Sequence, residues 1–192
     1  MPSPDLTTPV AAGAVALVSA TAGVLVHTRR DRELAAAQWL LLSAFDTRQA
    51  RHDWATYGVA LLRCGVLFSA VRMPAAVVHA AAGTDDREEL AAFLEDALNG
   101  GPIFYDGGGR QFYALTPRGT ARRWGATGIE RLGPSAFLGI PATDITEPDP
   151  RCTSYWCVPM RGSGFLCQPR AVARLAVTGR TRGTKREAEK DA

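Results

Sequence analysis

Lysine is nearly missing from this chain of 192 residues: of its 22 basic side chains, only Lys185 and Lys190 are not arginine. Alanine is heavily used, and the two biases together are what GC-rich coding produces. The arginines are therefore not in themselves a sign of phosphate binding. Histidine is scarce, and His27, His52 and His79 lie far apart. The four cysteines, Cys64, Cys152, Cys157 and Cys167, show no CxxC spacing, the usual mark of a zinc ligand pair. Partly buried thiols in a cytosolic protein are the preferred reading over a three-sulfur site completed by a histidine. GxSxG, HExxH, GxGxxG and the Walker loop are all absent, which removes the commonest hydrolase, zinc-protease and nucleotide-binding frameworks. No segment repeats at a period of roughly 20–50 residues, so solenoids and propellers are excluded.

Charge is missing from residues 6–26. The 18 residues of 9–26 would reach about 27 Å as a helix, near the ~30 Å of a bilayer core. Arg29, Arg30 and Arg32 follow at once, a flank that would keep the remainder in the cytoplasm. Ala and Gly dominate the run and insert poorly. Residues 1–30 are therefore an apolar amino-terminal segment open to three readings: a membrane anchor, an Ala-rich helix packed on the domain, or a mobile tail.

What remains is ordinary globular composition, 46% hydrophobic and 21% charged. That excludes a disordered chain, a collagen and a coiled coil. A net charge of +3 permits nucleic-acid contact without requiring it.

Residues 31–45 read as a helix with Leu34, Trp39, Leu41, Leu42 and Phe45 on its apolar side. Residues 46–53 are polar and suggest a break. Residues 57–63 and 65–72 read as strands around Cys64-Gly65, as a hairpin or one bulged strand. Pro74 opens a helix to Ala82. Asp85-Asp86-Arg87-Glu88 is a helix start, followed by Leu90, Phe93, Leu94, Ala97 and Leu98 at helical spacing. Residues 102–105 and 111–115 form a hairpin through Gly107-Gly108-Gly109, glycines read as supplying positive φ. Residues 116–120 are a turn, 121–124 a short helical turn, and 136–140 and 155–158 two more strands. The polar loop between those strands holds Asp144, Glu147 and Asp149. Pro169 opens a last helix to Val177, and residues 178–192 read as a disordered charged tail. The order predicts an α+β fold, residues 31–177, with a largely antiparallel sheet and helices packed on it, plus the Ala-rich amino-terminal helix.

No catalytic constellation stands out. Asp85, Asp86, Glu88 and Glu89 suit a helix start better than a metal cluster. The acids of the 141–150 loop are not favoured as a metal site either. His79 suits a packed helix-end residue. Arg110, Arg118, Arg122, Arg123 and Arg131 interleave with Phe112, Tyr113 and Trp124 and are opposed only by Glu130. Such a mixture suits single-stranded nucleic acid, by phosphate pairing and base stacking, or else a solvated arginine face over core aromatics.

Gly108-Gly109-Arg110-Gln111-Phe112-Tyr113, followed by Thr116-Pro117-Arg118-Gly119-Thr120, resembles the amino-terminal domain of bifunctional primase–polymerases, as carried by many actinobacteria. That family has a GGxH-(apolar)-Tyr strand and a Pro-x-Gly-Thr turn. Phe137-Leu138-Gly139-Ile140-Pro141 is similar to its later glycine-bearing strand, and Tyr155-Trp156 onward to its closing aromatic segment and helix. The resemblance spans residues 35–177 and is closest to small actinobacterial proteins with a degraded pattern. It implies the primase–polymerase-like α+β fold. The family's metal-binding Asp-x-Asp or Asp-x-Glu would fall on residues 66–72, where Ser69 and Arg72 stand instead. Its phosphate-contacting histidine is Gln111 here, and a later acidic position falls at Gly133-Pro134-Ser135. Two-metal nucleotidyl transfer needs clustered carboxylates. No catalytic residue, metal ligand or cofactor is therefore expected. The expectation is a binding module whose nucleic-acid contacts are Arg110, Gln111, Tyr113, Arg118, Arg122 and Arg123, with single-stranded nucleic acid or a protein as partner. The alternative is a cytoplasmic interaction domain tethered to a membrane by residues 9–26.

Overall fold

A computed structural model describes residues 28–120 and 129–190. The described residues open with helix α1 (Arg29–Leu41), and Thr28 and Asp31 close a reciprocal capping box at its start. Helix α2 (Thr47–Tyr57) follows and occupies the polar stretch expected to contain a break. Its start is fixed by Asp46, whose carboxylate accepts from the Arg48 and Gln49 N–H groups at 2.8 and 3.0 Å. Only Ala50 and Trp54 are buried, four residues apart, so one narrow stripe docks an otherwise polar helix.

Strands β1 (Val59–Arg63) and β2 (Phe68–Pro74) do not pair with each other as the hairpin reading required. Gly65, at φ +84°, turns the chain against Pro134, where a Cβ would lie 2.7 Å from the proline Cα. That corner sends β1 to one sheet and β2 to another. Helices α3 (Ala75–Ala82) and α4 (Arg87–Ala97) come next. Asp86 caps α4 through the Glu88 and Glu89 N–H groups, both at 3.0 Å, so the acidic run is a helix start. The hairpin β3 (Ile103–Asp106) and β4 (Gln111–Pro117) forms as expected. Strand β5 (Glu130–Leu132) is an addition, too short and exposed to show a period. Strands β6 (Phe137–Pro141) and β7 (Ser154–Val158) match the sequence reading.

Helix α5 (Pro169–Lys190) corrects the disordered-tail expectation. Past Val177 it packs by small residues rather than by an apolar stripe. A Cβ on Gly179 would fall on the Val77 carbonyl oxygen, and Gly183 faces Ala80. Arg182 also donates to the Ala81 carbonyl at 2.5 Å.

The architecture is α+β, and every strand pairing is antiparallel. Five strands in the order β5-β2-β4-β3-β7 form the central sheet, and β1-β6 form a second, two-stranded sheet. Strand alternation, with a register shift in β7 between Trp156 and Val158, splits the core in two. Phe68, Ala70, Phe104, Leu115 and Trp156 pack with α1, α2, β1 and β6. Val71, Met73, Phe112, Ala114 and Val158 pack with α3, α4 and α5. Leu42 and Phe45, expected on the buried side of the first helix, are exposed instead, because α1 ends at Leu41. Among the described residues no helix is long and apolar enough to cross a membrane. Residues 9–26, which carry the anchor and Ala-rich-helix readings, lie outside them.

Candidate nucleic-acid interface

β4 is the centre of the candidate surface, flanked by β2 on one side and β3 on the other. The loop before it, residues 107–110, is held from within. Asp106 accepts from the Gly108 N–H at 3.1 Å and the Ser154 hydroxyl at 3.3 Å, and Gly108 also donates to the Thr153 hydroxyl at 3.1 Å. None of the three glycines has positive φ in the left-handed range; Arg110 takes that role, at φ +51°. The glycines serve close approach instead. A Cβ on Gly109 would lie 2.7 Å from an Asp106 carboxylate oxygen, and one on Gly107 3.0 Å from the Thr153 carbonyl. The Arg110 carbonyl accepts the first helical N–H of α3, from Ala75, at 2.9 Å. Its exposed side chain therefore projects from a fixed backbone.

Gln111 is half-buried opposite Asp106 on β3 and Pro74 on β2. Two residues on, Tyr113 shares the same strand face. Its ring stacks on Phe104, with centroids 5.1 Å apart and planes 18° apart. Burial and the nearby Asp106 carboxylate raise its phenol above the ordinary tyrosine value, and Arg72 works against them. Register extends this line across the sheet as Trp156, Phe104, Tyr113, Arg72 and Glu130. The line is apolar at β7 and charged at β5, where Arg72 and Glu130 form an ion pair. Both are about half exposed, so the pair contributes no more than ~1 kcal/mol. Its effect is placement: a half-exposed guanidinium lies beside a half-buried phenol.

Arg118 stands at the far end of β4. There the Thr120 hydroxyl donates to the Pro117 carbonyl at 2.6 Å and Gly119 turns at φ +87°. At ~3.4 Å per residue the seven residues of β4 span about 20 Å, so Arg110 and Arg118 flank opposite ends of it. Gln111 and Tyr113 thus share one face, whereas Arg110 lies near His79 on the helical side and Arg118 lies past the far end of the strand. Arg122 and Arg123, with the helical turn expected at 121–124, lie outside the described residues.

Ser69 and Arg72, the two positions singled out against the resemblance, occupy opposite faces of β2, being three residues apart on a strand. Ser69 is buried with Val71 and Met73 toward the helices, its hydroxyl lacking a hydrogen-bond partner, while its carbonyl accepts from Thr116 at 3.3 Å. Only Arg72 faces the candidate surface. Pro134 and Ser135 form the corner against Gly65, with Ser135 at φ +76°. Sequence reasoning missed the Arg72–Glu130 pair because β5 was unread. The signal was Glu130 itself, the one acid among those arginines.

The other candidates have structural roles. Among the described residues no group of three or more His, Cys, Asp or Glu side chains is placed to hold a metal ion. Asp149 is bridged by Arg151 at 2.8 and 2.9 Å, which holds its carboxyl down at about 2. His79 packs edge-on against Phe112 at 5.8 Å, and burial lowers its pKa. All four cysteines are free, and burial pushes Cys64 up to about 11 and Cys157 and Cys167 to about 12. Those three are thiols, not thiolates, at neutral pH. No protein-family model matches the chain, and no curated protein or solved structure is detectably similar to it.

Proposed function

We propose that the chain is a non-catalytic, primase–polymerase-like binding module that contacts single-stranded nucleic acid along β4. One observation carries the reading. Exposed Arg110 and Arg118 flank the two ends of β4, and Arg72 and Tyr113 are paired neighbours on the sheet between those ends. That span suits several successive phosphates of one strand, with the phenol available to a base edge. Arg72 also supports a non-catalytic role, because a guanidinium on this face repels the divalent ions that nucleotidyl transfer would require there. Gln111, beside Asp106, offers both a donor and an acceptor. Arg122 and Arg123 extend the basic series in sequence, three and four residues past Gly119.

The test is fluorescence anisotropy of the full chain with labelled single-stranded DNA across a salt series, with and without magnesium. Binding is expected to weaken with salt and to be indifferent to magnesium. Arg110→Ala and Arg118→Ala should each flatten the log–log salt slope by about 0.7, one single-strand phosphate contact apiece. No binding at low salt by folded protein would remove the nucleic-acid reading.

The membrane-tethered alternative, with the described domain in the cytoplasm, rests on uncharged residues 6–26 followed by Arg29, Arg30 and Arg32. Detergent-free fractionation tests it: recovery wholly in the soluble fraction rejects the tether.

A further inference from the structure

We propose that the outer face of the β1–β6 sheet joins two copies of this chain about a two-fold axis. Phe45, Leu61 and Phe137 are 85%, 63% and 54% exposed, and together they line one open concavity of about 340 Å³. Three large apolar side chains around one hollow are the mark of a contact surface, not scattered exposure. Phe45 is also held ready. It immediately precedes Asp46, whose two hydrogen bonds fix the start of α2, so its backbone is anchored at the rim of the hollow.

Charge decides the occupant. The α2 rim of the hollow carries Asp46 and Asp53. The strand rim carries exposed Arg63, two residues past Leu61 on the same face of β1 and opposite Phe137 in the register. Among the described residues no ion pair engages Arg63, Asp46 or Asp53. One face thus holds an aromatic knob, a hollow, an acidic rim and a basic rim. A two-fold axis near Leu61 sets each Phe45 into the partner's hollow and each Arg63 over the partner's Asp53. Such self-complementarity is what an isologous contact requires.

Sedimentation equilibrium of the full chain tests this. A reversible monomer–dimer equilibrium is expected. Phe45→Ser should raise the dimer Kd at least about 30-fold, as loss of a central aromatic anchor does. Arg63→Glu should raise it about tenfold, and adding Asp53→Arg should recover the wild-type value within about threefold. Phe45 and Arg63 are exposed and Asp53 is half-buried, and retention of the fold in each variant is checked by circular dichroism. A chain still monomeric at about 100 µM, including one whose hollow is covered by its own residues, overturns the proposal. So does a dimer indifferent to Phe45→Ser, or one that the double charge reversal does not restore.

Discussion

The two faces of the central sheet are closed by different means. On one, α3 and α5 cross so closely that Gly179 has no room for a side chain over the Val77 carbonyl, and Arg182 ties α5 to the end of α3. On the other, the cover is α1 and α2 together with the two-stranded β1–β6 sheet, a layer one residue deep. Along β1, Ala60 and Leu62 point inward, while Leu61 and Arg63 point out. Trp54 and Trp156 pin this layer through indole donors, Trp54 to the Ile140 carbonyl at 2.9 Å and Trp156 to the Pro141 and Ala142 carbonyls at 3.2 Å. The helical side buries its apolar groups by backbone approach. The sheet side relies on large aromatics beneath and leaves Phe45, Leu61 and Phe137 above. An apolar residue on the outer face of that layer adds little to the core and is open to contact from outside the fold.

Breaking each closure should show the contrast. Trp156→Ala removes the largest fully buried side chain and the indole donor that the Pro141 and Ala142 carbonyls share. It should cost about 3–5 kcal/mol in urea unfolding, and the β1–β6 amides should lose hydrogen-exchange protection before the α3–α5 amides. Gly179→Ala instead forces α5 away from α3 and should cost about 1–3 kcal/mol, with protection lost first in α5. Equal loss on both sides in either variant would mean that the two layers unfold as one unit and that the contrast is only geometric.

Which parts of this were legible follows from how local each signal is. α4 and the β3–β4 hairpin were readable because the Asp86 cap and the Gly107-Gly108-Gly109 turn lie within the elements they define. β1 and β2 were readable as strands, but their separate destinations depend on Pro134 meeting Gly65, a contact between residues 69 positions apart. α2 was missed because two buried residues make too thin a stripe, although the Asp46 cap was present. The end of α5 was missed because its packing signal is the Gly179-x-x-x-Gly183 spacing, not hydrophobicity. At the candidate site, strand arithmetic alone separates Arg110 from Arg118 and Ser69 from Arg72. What it does not supply is Arg72 meeting Glu130, which required a strand of three residues.

Two substitutions with small effects sharpen the comparison further. Ser69 lies on the helical side with a hydroxyl that is buried and unpartnered. Ser69→Ala removes that desolvated group at no cost in packing and should stabilise the fold by about 1 kcal/mol in urea unfolding. Loss of stability would instead reveal a partner for the hydroxyl, and with it a polar link between sheet and helices. Phe45→Ser changes the opposite side. Because the ring is almost wholly in solvent, the dilute protein should keep its unfolding free energy within about 0.5 kcal/mol. Trp156→Ala and Phe45→Ser both alter aromatics of the thin layer, yet one lies beneath it and the other above. A large loss from Phe45→Ser at concentrations where no dimer forms would mean that the ring is covered within the monomer. The outer face of β1–β6 would then belong to the core after all.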